Sequence, residues 1–315
     1  MLKLPCAQDI IEAHNRINTQ IHKTPVLTSE SINSICGTNI FFKCENFQKV
    51  GAFKYRGACN AILSLSDAEK QIGVATHSSG NHAAALALAA AKNGVKAHIV
   101  MPENAPEIKK KAVAGYGAEI TFCEGTLSAR ESTLEQVISK TGAKLIHPYN
   151  QFEVICGQGT ASLELVKQVP QLSTIMTPVG GGGLLSGTAS YTKEIHPHIK
   201  VIAGEPAMAD DAYRSFKSGH LIPVSNPQTI ADGLRTSLGE LTYSIIRDKV
   251  DDIICVSEKS IIDAMRLIWE RMKIIIEPSS AVPLAAILEN PTLFKDQNIG
   301  IILSGGNVDL GKLPF

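Results

Sequence analysis

Repeated strand–turn–helix units constrain the fold of this chain more than any other feature of its sequence. Apolar runs at residues 73–77 and 96–102 are each followed by a turn and by a segment with helical periodicity. The same alternation returns later, with predicted strands at residues 173–179, 200–204 and 300–303. Strands that alternate with helices form parallel sheets covered by helices on both faces. The sequence therefore predicts an α/β fold.

Two blocks of these units divide the chain. Residues 67–148 hold one run of alternating strands and helices, and residues 149–315 hold another. We therefore expect residues 1–66 and 149–315 to form a large domain and residues 67–148 to form a small one. Ligands of α/β proteins bind in crevices at the carboxyl ends of strands, so the crevice between the two lobes is the expected active site.

Charge and composition exclude several classes of partner. The 315 residues include 30 Lys and Arg and 30 Asp and Glu, so the chain lacks the basic surplus that binds nucleic acids and anionic membranes. Its most apolar stretch, residues 83–91, is too short to span a bilayer. The first residues become polar before a signal-length apolar core develops, which predicts a cytoplasmic protein. The 7 scattered cysteines with no CxxC pair indicate free thiols.

The segment GAFKYRG, residues 51–57, places Lys54 between two aromatic residues, Phe53 and Tyr55. Desolvation against aromatic surface disfavours the ammonium form, so the pKa of such a lysine falls and its neutral amine can condense with a carbonyl. Lys54 is therefore a candidate for a Schiff base. The alternative is an ordinary surface lysine on a helix, which the heptapeptide alone does not exclude.

A second motif, HSSGNHAAA at residues 77–85, joins a predicted strand to a predicted helix. Its serines and Asn81 therefore lie at a helix N-terminus, where free backbone N–H groups attract anions such as carboxylates. An ordinary N-cap, for which Ser and Asn are favoured, is the alternative. The run of two serines, a glycine and an asparagine is more than one cap requires, so the motif is a candidate carboxylate site.

Four consecutive glycines, residues 180–183, lie between an apolar strand and a helix. Without side chains in the way, their backbone N–H groups can converge on a phosphate. Neither the glycine spacing of a Rossmann site nor a GlyLysSer/Thr ending is present, which argues against NAD and ATP here. A flexible linker is the alternative, but linkers seldom connect an apolar strand directly to an apolar helix. The segment therefore predicts a phosphate cradle.

The predicted strand at residues 300–303 ends in Ser304, which is followed by Gly-Gly-Asn. A hydroxyl at the carboxyl end of a strand lies where α/β proteins bind ligands, although a tight turn explains the same residues. A lysine that can form an imine, a phosphate cradle and a carboxylate-accepting helix start together describe a site for pyridoxal phosphate and an amino acid.

These motifs resemble those of the serine/threonine dehydratase and serine racemase family of pyridoxal-phosphate enzymes, which has the tryptophan-synthase-β type of fold (fold type II). The resemblance extends over nearly the whole chain, and the motifs are closest to those of the racemases. It is carried by FKYRG around Lys54, SSGNH from Ser78, GQGT from Gly157, the tetraglycine from Gly180 and SGGN from Ser304.

The resemblance implies a role for each motif at the cofactor. Lys54 would carry the cofactor, Phe53 would lie beside its ring, Asn81 would hydrogen-bond its phenolic oxygen and Ser304 would face the pyridine nitrogen. The large domain would hold the phosphate through Gly180, Gly181, Gly182 and Gly183. Because a serine cannot stabilise a pyridinium as a carboxylate would, elimination of a β-leaving group competes well with reactions that need a long-lived carbanion.

The resemblance also implies substrate contacts from Ser78, Ser79, Asn81, His82, Arg130 and Thr236. In racemase-like members a serine at the position of Ser79 stands opposite the lysine, so that a Cα proton can leave one face and return on the other. Catabolic threonine dehydratases commonly have alanine there, so Ser79 favours racemase capability, and Arg130 matches an arginine associated with that serine. Thr236 replaces a serine of the animal racemases, which leaves the choice of substrate open.

The acidic segment at residues 205–211 is a candidate cation site. Glu205 and Asp211 supply the hard oxygen ligands that magnesium and calcium prefer, although acidic residues in a solvated loop are the ordinary interpretation. Racemase-like members use the corresponding glutamate, alanine carbonyl and aspartate to bind a divalent cation. The resemblance therefore implies that Mg²⁺, or Ca²⁺ or Mn²⁺, is bound by Glu205, Ala209 and Asp211.

The resemblance further implies a homodimer. The animal racemases bind ATP between subunits, and the matching positions here are Lys49, Tyr116, Lys273 and Asn307. Glu30 places a negative charge where those enzymes have a serine, which argues against ATP activation.

The predicted reaction is elimination of the β-hydroxyl of L-serine or L-threonine, which yields a 2-oxo acid and ammonia, with racemisation of serine at the same site. Two other activities stay open: dehydration of 3-hydroxyaspartate, and β-replacement as in cysteine synthase, although cysteine synthases typically have a Thr-Ser-Gly-Asn loop. A protein that binds the cofactor without turnover is the non-enzymatic alternative. The sequence does not rank the substrates, because their discrimination depends on a few pocket contacts.

Overall fold

The computed structural model describes residues 3–78, 80–105 and 107–315, apart from the side chain of Ile108. The helices in these residues are α1 (Ala7–Ile17), α2 (Glu30–Cys36), α3 (Lys54–Leu63), α4 (Asp67–Ile72), α5 (Asn81–Lys92), α6 (Glu107–Gly115), α7 (Leu127–Thr141), α8 (Phe152–Gln168), α9 (Gly183–Ile195), α10 (Asp211–Ser218), α11 (Glu240–Lys249), α12 (Glu258–Met272), α13 (Pro278–Glu289) and α14 (Pro291–Phe294). The strands are β1 (Val26–Leu27), β2 (Asn39–Cys44), β3 (Val74–His77), β4 (Ala97–Pro102), β5 (Glu119–Cys123), β6 (Lys144–Leu145), β7 (Thr174–Pro178), β8 (Lys200–Pro206), β9 (Asp252–Val256) and β10 (Asn298–Leu303).

The larger sheet has the strand order β1-β2-β10-β7-β8-β9. Every neighbouring pair from β2 to β9 is parallel, with Leu303 of β10 opposite Cys44 of β2 and Ile301 of β10 opposite Met176 of β7. The short β1 pairs with β2 in the antiparallel direction, which the prediction of parallel sheets did not include. The predicted α/β fold is confirmed.

The smaller sheet has the order β5-β4-β3-β6, and all its pairs are parallel. Its strands fall within residues 74–145, inside the segment predicted as the small domain, while the division into two domains stays a prediction. Strand β6 ends at Leu145, three residues before Pro148. Pro148 has no amide hydrogen to extend the ladder, and its carbonyl accepts from side chains instead.

Helices cover both faces of each sheet. On one face of the larger sheet, Ile301 and Met176 pack with side chains of α12 and α13, whereas Ile302 and Ile175 pack with side chains of α8 on the other. The smaller sheet packs between α5 and α7 in the same way. The described residues contain no helix that is both long and apolar enough to cross a membrane.

Glycines bring α3, α8 and α9 into close contact. A Cβ on Gly157 of α8 would lie 2.8 Å from the Cα of Gly57 in α3, and a Cβ on Gly187 of α9 would lie 2.7 Å from the Cα of Gly159 in α8. Real Cβ atoms do not approach so closely, so these backbones touch only because the side chains are absent. Helix α8 therefore fixes the spacing between the first turns of α3 and α9.

Candidate active site

The lysine segment and the SGGN segment are joined at the carboxyl end of β10. The Phe53 amide donates to the Ser304 carbonyl (2.9 Å), and the Gly306 amide donates to the Gly51 carbonyl (2.9 Å). Motifs that are about 250 residues apart in the chain therefore share one backbone ladder, which places Lys54 beside Ser304.

Lys54 is the first residue of α3, and its amine is buried between a backbone carbonyl and two aromatic rings. Its Nζ donates to the carbonyl of Pro148 (2.8 Å) and lies 5.1 Å from the ring centroid of Phe53 and 5.9 Å from that of Tyr149. Burial lowers the pKa of Lys54 to about 8, although the nearby charge of Glu277 acts in the opposite direction. An appreciable fraction of the amine is then neutral near pH 7, as a nucleophile for an aldehyde requires.

The phosphate cradle, residues 180–183, connects β7 to the N-terminus of α9, and all four residues are buried. A Cβ on Gly181 would overlap the Tyr149 ring, and one on Gly183 would overlap Oε1 of Gln158. Gly182 has a φ of +83°, which side-chain-bearing residues rarely adopt. The first amides of a helix have no partner within it and attract anions, so the cradle fits a phosphate.

Asn81, the first residue of α5, takes part in a hydrogen-bonded chain with Glu277 and Asn307. Its Nδ2 donates to both carboxylate oxygens of Glu277 (2.9 and 3.1 Å), and its Oδ1 accepts from Nδ2 of Asn307 (2.9 Å). Burial raises the pKa of Glu277 to about 7. Asn81 would have to release Glu277 to donate to a phenolic oxygen of the cofactor, so this role stays a prediction.

Ser304 is buried, with 3% of its surface exposed, and its hydroxyl lies 3.0 Å from that of Ser280. Ser280 also donates to the Gly305 carbonyl and accepts from the Gly305 amide, both at 2.7 Å. The Ser304 hydroxyl is thus held by a neutral neighbour, as expected for a group that faces a ring nitrogen without protonating it.

The SSGNH segment crosses from β3 to α5. The Ser78 amide donates to the Val100 carbonyl (3.1 Å), and its hydroxyl accepts from the Gly80 amide (3.3 Å). Ser79, the predicted second base, lies outside the described residues. The position of Ser78 beside α5 is compatible with the predicted carboxylate site, and its role stays a prediction.

His82 is buried in the first turn of α5, and its Nε2 lies 3.2 Å from the Ile146 carbonyl. Burial lowers the pKa of His82 to about 3, so the ring is neutral near pH 7. A neutral ring must then donate from Nε2 to that carbonyl, which leaves Nδ1 as an acceptor without a partner. His82 can orient neighbouring donors, but it cannot serve as a general acid near neutrality.

Arg130 and Thr236 approach the site from two different elements. Arg130 lies on α7, half-buried, and its charge assists burial in lowering the pKa of His77 at the end of β3. The Oγ1 of Thr236 is 3.3 Å from the position of a Cβ on Gly180. The structure therefore places Thr236 beside the cradle and Arg130 toward the strand end that leads to the SSGNH segment.

The candidate cation site lies where β8 leads to α10. Glu205 is fully buried, and its two oxygens accept from the amides of Ala212 (2.9 Å) and Tyr213 (2.7 Å). Asp211 is also buried, and neither of its oxygens has a hydrogen-bond partner. Burial raises the pKa of Glu205 to about 9 and that of Asp211 to about 7. With the buried Ala209 nearby in sequence, this oxygen-rich site fits a divalent cation, whose binding stays a prediction.

Three residues of the site were not predicted from the sequence. Tyr149 packs against the cradle, Glu277 binds Asn81, and Gln158 lies beside Gly183. Gln158 stands inside the GQGT motif, and Glu277 precedes a Pro that begins α13, so both had a local signal. Tyr149 follows a short edge strand, and nothing in the neighbouring sequence indicated that it belongs to the site.

These residues fit pyridoxal phosphate. An amine with a lowered pKa, two aromatic rings beside it, a buried hydroxyl and a helix N-terminus preceded by glycines supply a contact for each part of that cofactor.

Comparisons with known proteins agree with this fit. A family model described as pyridoxal-phosphate dependent enzyme matches residues 17–305. A serine racemase from Dictyostelium discoideum is 55% identical over 97% of this chain and 96% of its own length. A crystal structure of serine racemase from that organism superposes with a TM-score of 0.93 over 97% of this chain and 99% of its own.

Two other proteins are also similar over their full lengths. A β-hydroxyaspartate dehydratase from Paracoccus denitrificans is 50% identical over 99% of both chains. A crystal structure of T.th. threonine deaminase is 43% identical, with a TM-score of 0.93 over 97% of this chain and 99% of its own. The sequence motifs, the fold and the site thus lead to one conclusion: this chain belongs to the family of pyridoxal-phosphate dependent enzymes.

Proposed function

We propose that the protein eliminates the β-hydroxyl of a small hydroxy amino acid, L-serine or L-threonine, to give a 2-oxo acid and ammonia. The observation that carries this proposal is the position of Lys54, whose buried amine lies beside the rings of Phe53 and Tyr149, the second of which packs against the phosphate cradle. The relatives named serine racemase and threonine deaminase support it.

When bound, the cofactor supplies an electron-withdrawing ring that makes the Cα hydrogen of an attached amino acid acidic. Lys54 takes up that proton, because its amine is buried beside two aromatic rings and its pKa of about 8 suits a base near neutral pH. The phosphate that the cradle would hold would supply the proton for the departing β-hydroxyl. Ser304 would place a neutral hydroxyl at the ring nitrogen, so the ring would withdraw less charge from Cα than a protonated ring, which would favour departure of the hydroxyl.

Racemisation of serine is a further part of the proposal. It requires a second base on the face of Cα opposite Lys54, and Ser79 is the residue that we assign to it. Ser79→Ala should abolish formation of D-serine while oxo-acid release continues. Equal loss of both activities would contradict the assignment of two separate bases.

Dehydration of 3-hydroxyaspartate is the second candidate activity. The relative from Paracoccus denitrificans is named for that reaction, and it matches this chain as completely as the racemases do. Arg130 provides a cation on the small-sheet side that could bind a second substrate carboxylate.

Release of oxo acid from serine, threonine and 3-hydroxyaspartate, each with and without Mg²⁺, decides between these substrates. Lys54→Ala should abolish both the imine absorbance and turnover, and it serves as the control for non-enzymatic release. If the aspartate derivative is preferred, Arg130→Met should lower its kcat/KM by about tenfold or more and leave serine nearly unaffected. O-acetylserine with sulfide tests the β-replacement alternative.

We also propose that the buried pair Glu205 and Asp211 binds Mg²⁺ or a similar cation with the carbonyl of Ala209. The unpartnered oxygens of Asp211 support this, because buried carboxylates are ordinarily paired or bound to a metal. The cytoplasmic location, the homodimer and the absence of ATP activation stay predictions from the sequence.

A further inference from the structure

Gln158 lies between the carbonyl that Lys54 contacts and the phosphate cradle. It lies on α8 between Gly157, which contacts the first turn of α3, and Gly159, which contacts the first turn of α9. Helix α3 begins with Lys54, and α9 begins at the phosphate cradle. The side chain of Gln158 is fully buried and extends toward the space between those two helix starts.

The two ends of the Gln158 carboxamide contact different parts of the site. Its Nε2 donates to the Pro148 carbonyl (3.4 Å), the same carbonyl that accepts from Nζ of Lys54 (2.8 Å). Its Oε1 has no hydrogen-bond partner and would overlap a Cβ placed on Gly183. The amide nitrogen therefore faces the Pro148 carbonyl that Lys54 also contacts, and the amide oxygen faces the cradle.

A buried amide oxygen without a donor is unfavourable, and an anion bound in the cradle would make it more so. A half-turn about the terminal torsion exchanges the oxygen and the nitrogen with almost no change in shape. The turned amide presents its N–H groups to the cradle, where they can donate to a bound anion.

We propose that Gln158 is a positioning residue for cofactor loading, whose carboxamide turns to donate to the phosphate when the cradle is filled. Binding of the phosphate thereby changes the orientation of an amide whose nitrogen otherwise donates to the Pro148 carbonyl, which also accepts from Lys54. The assignment concerns binding of the cofactor that the family uses and does not depend on which amino acid is the substrate.

Two isosteric variants and two aldehydes test this role. Gln158→Met keeps the volume and removes both polar ends, and Gln158→Glu places a carboxylate beside the cradle. Cofactor-free protein is titrated with pyridoxal phosphate and with pyridoxal, which lacks the phosphate, and the imine absorbance gives each Kd. We expect pyridoxal phosphate binding to weaken by about tenfold for the Met variant, the loss that one hydrogen bond to a charged group brings, and by more for the Glu variant.

Pyridoxal separates this role from a general loss of structure, because its Kd should change by less than about threefold in both variants. Gln171→Glu, at an exposed position just after the same helix, is the matched control and should bind both aldehydes as the parent does. Equal weakening for the two aldehydes, or unchanged binding of pyridoxal phosphate in both variants, would overturn the proposal. Absence of turnover in a parent protein that binds the cofactor would refute only the proposed function.

Discussion

Arg56, two residues after the candidate cofactor lysine, is the centre of a buried ionic cluster whose loss should destabilise the fold. Its guanidinium donates to both oxygens of Glu45 (2.7 and 2.9 Å) and to both oxygens of Glu164 (2.9 and 2.8 Å). Lys43 donates to Glu164 as well (2.6 Å). The cluster therefore contains two cations and two carboxylates, with a net charge of zero.

Replacement of Arg56 by methionine leaves this cluster with one excess negative charge. Lys43 still pairs with Glu164, but the remaining side-chain partner of Glu45 is the hydroxyl of Thr24 (2.6 Å). Removal of one member of a buried ion pair costs about 3–5 kcal/mol of unfolding free energy. For a chain of this length, roughly 2 °C per kcal/mol gives a fall in Tm of roughly 6–10 °C.

Adding Glu45→Gln to Arg56→Met should restore part of this stability, because the cluster becomes neutral again. We expect a coupling of about 2 kcal/mol between the two changes, measured by thermal unfolding at one fixed concentration of pyridoxal phosphate. The control is Arg266→Met, which breaks an exposed pair with Glu270 (2.8 Å) and should change stability by about 1 kcal/mol or less. A decrease in Tm no larger than that of the control, or no recovery in the double variant, would refute the reasoning.

Three further changes test the lysine, the cation site and the cradle. The rate at which pyridoxal labels cofactor-free protein at Lys54 should rise with pH with a midpoint near pH 8, because the neutral amine reacts. Glu277→Gln should move this midpoint down, since the carboxylate favours the ammonium form of Lys54. Mg²⁺ should raise the Tm of the parent but not of Asp211→Asn, and an equal rise in both would exclude Asp211 as a ligand. Gly181→Ala should weaken binding of pyridoxal phosphate by about tenfold or more, measured by titration, because its Cβ would overlap the Tyr149 ring.

The alternation of strands and helices was sufficient to predict most of the parallel strands and the α/β class. Helix α8 begins at Phe152 and continues through two glycines. Gly157 and Gly159 have low helix propensity, but here they allow the contacts with α3 and α9, so tertiary packing outweighs local preference. The two-residue β1 is too short to produce a periodic pattern, and its pairing with β2 depends on tertiary contact.

The site was predictable wherever one short segment carries its own chemistry, as Lys54 and the tetraglycine do. The residues that surround those segments were harder to predict from the sequence. Tyr149 and Glu277 reach the site from distant parts of the chain, and only folding reveals that Glu277 engages the amide of Asn81. The lowered pKa of Lys54 was expected from its aromatic neighbours, but the opposing charge of Glu277 was not.

The position of β10 has a consequence for biosynthesis. Among the described residues it follows every other strand of the larger sheet in sequence, yet it lies between β2 and β7 in the middle of that sheet. During translation, β2 and β7 must therefore each wait with one unpaired edge until residues 298–303 leave the ribosome. Lys54 meets Ser304 only then, so the earlier segments of a nascent chain cannot assemble the complete vitamin B6 pocket by themselves.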